Sequence, residues 1–101
     1  MYQIAFSPKS LKKVFEAICK ETKHEQGAKN VLGVFKNYPK GNATTHGIIE
    51  KKNIYWGYDL SRGNRITYKV YDREYDQPTV IIYFIGNHND YMRFLRTHAK
   101  G

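Results

Sequence analysis

The chain has 101 residues, 41% of them hydrophobic, with 17 Lys and Arg against 9 Asp and Glu, a formal net charge of +8 and a pI near 9.6. That length supports one domain with one core and not two, and the positive surplus favours a polyanionic partner by long-range attraction, nucleic acid first. Cys19 is the one cysteine, so an internal disulfide and a cysteine-based zinc site are excluded; the residue is expected as a small buried hydrophobe in a reducing cytoplasm. No window approaches the ~20 apolar residues of a membrane span, and no basic stretch leads into a long apolar run at the start. A soluble, unprocessed, cytoplasmic protein is therefore expected, with no membrane partner.

Tyr2, Ile4 and Phe6 alternate with Gln3 and Ala5, the period-two pattern of a short first strand. Ser7 and Pro8 then read as an N-cap followed by proline at the first helical position. Leu11, Val14, Phe15 and Ile18 recur at helical spacing with Lys9, Lys12, Lys13, Glu16 and Lys20 opposite them, which predicts a helix packing one face on a core. A second helix is expected from about Glu25 to Lys36, buried through Ala28, Val31, Leu32 and Phe35 and stopped at Asn37-Tyr38-Pro39. Between Pro8 and Lys40 stand eight Lys against three Glu, a surplus of five; a solvated helical face and direct RNA contact both account for it.

After Pro39-Lys40-Gly41-Asn42 the period becomes two. Thr44 to Glu50 reads as a strand, Lys51-Lys52-Asn53 as a turn, and Ile54, Trp56, Tyr58 and Leu60 as the inward residues of the next strand. Beyond the turn Ser61-Arg62-Gly63-Asn64, Ile66, Tyr68 and Val70 alternate with Arg65, Thr67, Lys69 and Tyr71, placing Arg65 and Lys69 on the face opposite the apolar set. Asp72 to Pro78 is a polar connection. Thr79 to Ile85 is apolar on both faces, as a central strand covered twice would be; Gly86 to Asp90 is expected to break it, and Tyr91 to His98 to form a terminal helix.

Two strand-like runs thus deliver Arg65, His88 and Tyr91 to one neighbourhood. Cleaving RNA through its own 2′-hydroxyl needs a base for that proton, cations for the crowded phosphate and an acid for the departing 5′-oxygen, with no metal or other cofactor. His88 suits acid or base, because an imidazole titrates near pH ~6.5; otherwise it is a loop histidine bonded to nearby backbone. Arg65 can clamp two phosphate oxygens. Tyr91 can stack on a base, support His88 or donate its phenol proton; alternatively it anchors the last helix with Phe94 and Leu95. Lys51, Lys52, Arg62 and Lys69 are candidate RNA contacts.

The words NIYWGYDLSRGNRITYKVYD and IGNHNDY, in this order, resemble the RelE/ParE superfamily of bacterial toxins, in particular its RNA-cleaving RelE, YoeB and HigB branches. At the level of words the resemblance runs from His46 to Tyr91. It implies a single α+β domain over residues 1–101, RelE-like, with two N-terminal helices packed on a mainly antiparallel sheet of four or five strands and a short C-terminal helix. It also implies an endoribonuclease acting on mRNA, by extension on the ribosome, and a cognate antitoxin protein that covers the active face. His46 stands where YoeB-like members carry a general-base carboxylate, so the resemblance implies His46 as base and His88 as acid. Asp59 stands where YoeB-like members have a basic residue, a departure from the pattern.

Two other functions fit the same sequence. A ParE-like inhibitor of DNA gyrase would share the fold but lack the converging His, Arg and Tyr. A non-catalytic RNA-binding module would instead stack bases on tyrosines such as Tyr55, Tyr58 and Tyr71 along an exposed sheet face.

Overall fold

The alternation of the first residues builds strand β1 (Gln3–Phe6), and the helical spacing that follows builds α1 (Leu11–Glu21) and α2 (Glu25–Asn37). Strands β2 (Ile49–Lys52), β3 (Tyr55–Asp59), β4 (Asn64–Tyr71) and β5 (Thr79–Asn87) follow, and α3 (His88–His98) closes the chain. These elements come from a computed structural model, which describes residues 1–21, 25–40, 49–52, 55–59 and 63–98. The fold is α+β, with a five-stranded mixed sheet in the order β1-β5-β4-β3-β2. β1 runs parallel to β5 and the other neighbours pair antiparallel. None of the described helices is long and apolar enough to cross a membrane.

Each face of the sheet has its own apolar layer. On one, Phe15 of α1 and Val31 and Phe35 of α2 pack on Tyr58, Ile66, Tyr68, Val80, Ile82 and Ile85. The Phe35 ring lies 4.5 Å from that of Tyr68 and 5.5 Å from that of Tyr58, the second contact edge-on, an arrangement that adds to the area term. The Tyr68 hydroxyl, at the bottom of this layer, donates to the Pro39 carbonyl at 2.6 Å, so its burial leaves no orphan polar group. On the other face, Tyr91 and Leu95 of α3 pack with Tyr55, flanked by Tyr83, Phe84, Met92 and Phe94. β5 is thus covered on both sides, as its doubly apolar sequence predicts.

Several local expectations are corrected. Ser7 and Pro8 do not start the helix: three turn bonds, Leu11 N to Pro8 O, Lys12 N to Lys9 O and Lys13 N to Ser10 O, lead into α1 at Leu11. Val14 is 40% exposed rather than buried, because Phe15 and Ile18 alone fill the space against the sheet from that part of the helix. Lys51 and Lys52 are not in a turn; they end β2, paired with Trp56 and Tyr55. The predicted strand from Thr44 begins at Ile49; positions 44 to 48, together with Ile54 and Leu60, lie outside the described residues. No break separates β5 from α3. The strand runs to Asn87, and the Asn87 Oδ1 accepts the Asp90 N–H at 2.9 Å, an N-cap that starts the helix at His88.

The pairing of β4 with β5 contains a further irregularity. Thr67 pairs with Phe84 but Tyr68 with Ile82, so Tyr83 is an extra residue in β5, the signature of a β-bulge. Without it, strict alternation from Val80 and Ile82 would point Phe84 toward the α1–α2 layer. With it, Ile85 takes that side, and Tyr83 and Phe84 both join the α3 layer.

Asp72, just beyond β4, clasps two distant parts of the chain. It accepts from Lys40 Nζ at 2.7 Å and from Tyr2 Oη at 2.5 Å. The hydrogen bond from Lys40, then that from Tyr2, holds the Asp72 carboxyl below its ordinary range, and hydrogen bonding to Asp72 raises both Lys40 and Tyr2. A lowered carboxyl pKa adds stability above its unfolded value that disappears as pH falls through the folded one; the raised amine and phenol add stability that disappears as pH climbs through theirs. The clasp is therefore expected to support the fold across neutral pH and to fade at both extremes, modestly because it is solvent-exposed. In thermal melts across pH, Asp72→Asn should flatten both limbs, and an unaltered profile would rule the clasp out.

Candidate functional site

Strand register brings the predicted site residues together. Arg65 pairs with Gly86, and Asn64 with Asn87, at the last positions of β5. The chain turns directly from there into α3, capped by Asn87, so His88 is its first residue and Tyr91 lies one turn further on. Residues three apart share a helix face. The His88 and Tyr91 rings are accordingly 6.3 Å apart, and Tyr91 comes back over Arg65, whose Cζ lies 4.6 Å from the ring centroid.

A cation over an aromatic face is worth about 2 kcal/mol when desolvated, and this one is desolvated: Arg65 is 8% exposed and Tyr91 2%. His88 stands exposed at the rim. The three residues therefore form a graded site, with the imidazole open to solvent and the guanidinium and phenol ring beneath it. The first N–H groups of α3 bear partial positive charge toward this rim, opposed by the Asp90 carboxylate in the same turn, and the Asp90 N–H is already taken by the Asn87 cap.

A glycine makes the buried arginine possible. A Cβ on Gly57 would meet Arg65 Nε at 3.2 Å and Cδ and Cζ at 3.3 Å, so the guanidinium stem lies across the bare backbone of β3. The sequence pattern had given Gly57 no role. Gly57→Val is expected to cost about 1–3 kcal/mol by overpacking and to push Arg65 off Tyr91. Denaturation and the ring-shifted resonances of the Arg65 Cδ protons would register both effects; unshifted Arg65 resonances in the variant would contradict this packing.

Further along the same face of β4, Lys69 Nζ lies 4.9 Å from the Tyr55 ring centroid and 5.6 Å from that of Tyr83, and the Tyr83 and Tyr71 hydroxyls share a hydrogen bond of 2.7 Å. Burial is the largest cause raising the Tyr71 phenol well above its ordinary value, with the Tyr83 bond next, so the Tyr71 hydroxyl is neutral at physiological pH. The ion pairs found among the described residues, Lys40 with Asp72 and Arg93 with Asp90, do not involve Lys69. Thr67, between Arg65 and Lys69, is fully buried, and its hydroxyl has no hydrogen-bond partner among the described residues.

Of the other predicted site residues, His46 and Arg62 lie outside the described residues, and Lys51 and Lys52 are placed by backbone only, on the edge strand β2. The expected open tyrosine platform is not there. Tyr55 and Tyr58 are 6% and 7% exposed, on opposite faces of the sheet, because β3 is roofed by α3 on one side and by α2 on the other. Tyr71 remains half-buried, in edge contact with the exposed Tyr75 at 5.3 Å. No three His, Cys, Asp or Glu side chains among the described residues come together as a metal site. Comparison of the chain with protein-family models, with curated proteins and with solved structures finds no match in any of the three.

Proposed function

We propose that the chain is an endoribonuclease toxin of RelE-like fold that cleaves mRNA without a metal, on the ribosome, and is held in check by a cognate antitoxin protein. The observation that carries this reading is the convergence of Arg65, His88 and Tyr91, drawn from two strands' ends and a helix start, beside the N-terminus of α3. In the proposed reaction the RNA 2′-oxygen loses its proton to a base and attacks the adjacent phosphorus. The bond to the 5′-oxygen breaks, and His88 delivers the proton that this leaving oxygen requires. Arg65 balances charge on the phosphate from beneath, Tyr91 fixes the guanidinium, and Lys69 draws the flanking strand. The products are a 2′,3′-cyclic phosphate and a free 5′-hydroxyl. His46 remains the proposed base on the strength of the resemblance, and Lys51, Lys52 and Arg62 the proposed outer phosphate contacts.

One observation favours a second reading. Arg65 and Tyr91 are so deeply covered that they can serve as an anchor for α3, in which case the chain acts by binding alone, as an RNA-binding module or a gyrase inhibitor. Incubation of the purified protein with mRNA, ribosomes and a chelator separates the two. Fragments ending in 2′,3′-cyclic phosphate are expected, and intact message under these conditions, with or without ribosomes, would overturn the nuclease reading.

A further inference from the structure

The edge of the sheet opposite β2 is open over two residues. β1 bonds to β5 through its odd positions, with Gln3 N donating to Pro78 O and Ser7 N to Ile82 O. Alternation turns the main-chain groups of Tyr2, Ile4 and Phe6 the other way. Tyr2 N is taken by the Lys36 carbonyl at the end of α2. Among the described residues nothing pairs with the outward groups of Ile4 and Phe6, since β1 is the terminal strand of the sheet.

Beside this edge lies an open groove of about 330 Å³ lined by Ile4, Ala5, Phe6, Lys9 and Lys12. Its floor is apolar and its rim carries two lysine ammoniums, with Lys13 next along α1. We infer that this edge is an interaction surface for an extended, acidic segment of another protein, which adds as a further strand along Ile4–Phe6, sets an apolar side chain in the groove and pairs carboxylates with Lys9 and Lys12. Main-chain bonds and a side-chain pocket at alternate positions are the working parts of strand addition. Charge selects the occupant: a second copy of this +8 chain would bring its own Lys9, Lys12 and Lys13 against these, and like charges facing each other disfavour it. The surface lies on the edge strand remote from β3, and this inference stands independently of the nuclease reading.

The test uses the full chain and two labelled peptides, one alternating valine with glutamate and one alternating valine with lysine. The glutamate peptide should bind by fluorescence anisotropy and the lysine peptide should not. Lys9→Glu with Lys12→Glu should weaken binding by at least about tenfold, as expected for two rim pairs turned repulsive. On the wild-type chain, amide exchange at Ile4 and Phe6 should slow when the glutamate peptide is added. Equal binding of both peptides, binding without protection of those two amides, or protection of them by self-association in the absence of peptide would each overturn the inference.

Discussion

Replacing His88 with alanine is expected to lower the rate of RNA cleavage at least about a hundredfold, the lower range for a general acid or base, while leaving the unfolding midpoint in place. The two halves of that expectation come from one fact. His88 is exposed at the first position of α3, so its side chain has little packing to lose beyond its tilted contact with the Tyr91 ring, and the helix start is secured by the Asn87 cap instead. Arg65→Ala is expected to reduce cleavage similarly but also to destabilise the fold, because it strips a buried cation from the Tyr91 ring. Single-turnover rates and denaturation curves on both variants make the distinction. Full cleavage by His88→Ala would remove the acid–base assignment, and with it the strongest support for chemistry at this rim.

Phe35→Ala should cost about 3–5 kcal/mol, the usual range for emptying a buried aromatic site. Phe35 is fully buried and meets Tyr58 and Tyr68 at ring contact distance; it is the point at which α2 is fastened to β3 and β4. Small domains are stable by about 5–15 kcal/mol, so about a fifth or more of the margin goes with this one side chain. In urea the midpoint should fall without change of slope. A loss below about 1 kcal/mol would mean that the α1–α2 layer is not the principal core.

The α2 stripe of Val31, Leu32 and Phe35 and the β4 alternation of Ile66, Tyr68 and Val70 were legible because a single period held over the whole element. The meeting of Arg65 with His88 and Tyr91 was legible too, since consecutive antiparallel strands place the start of one beside the end of the next. Three things were hidden. The β5 bulge leaves no mark in a run where every residue is apolar. The start of α3 was masked by Gly86 and Asn87, which suggest a break but serve here as strand end and cap. The roof that α3 puts over Arg65 and Tyr55 is a tertiary event: alternation reports which side of a sheet a residue takes, not what comes to rest upon it.

The extra residue at Tyr83 makes β5 a strand that counts. Pairing straight through Tyr83 without the bulge would put the final third of the strand out of phase, turning Ile85 toward the terminal helix and Phe84 toward the first two and setting Arg65 opposite Ile85 in place of Gly86. The bulge thus sets the frame that composition cannot: exchanges among its apolar side chains leave it intact, and a single-codon deletion of Tyr83 is expected to close the bulge while keeping Arg65 opposite Gly86 and the imidazole beside the guanidinium.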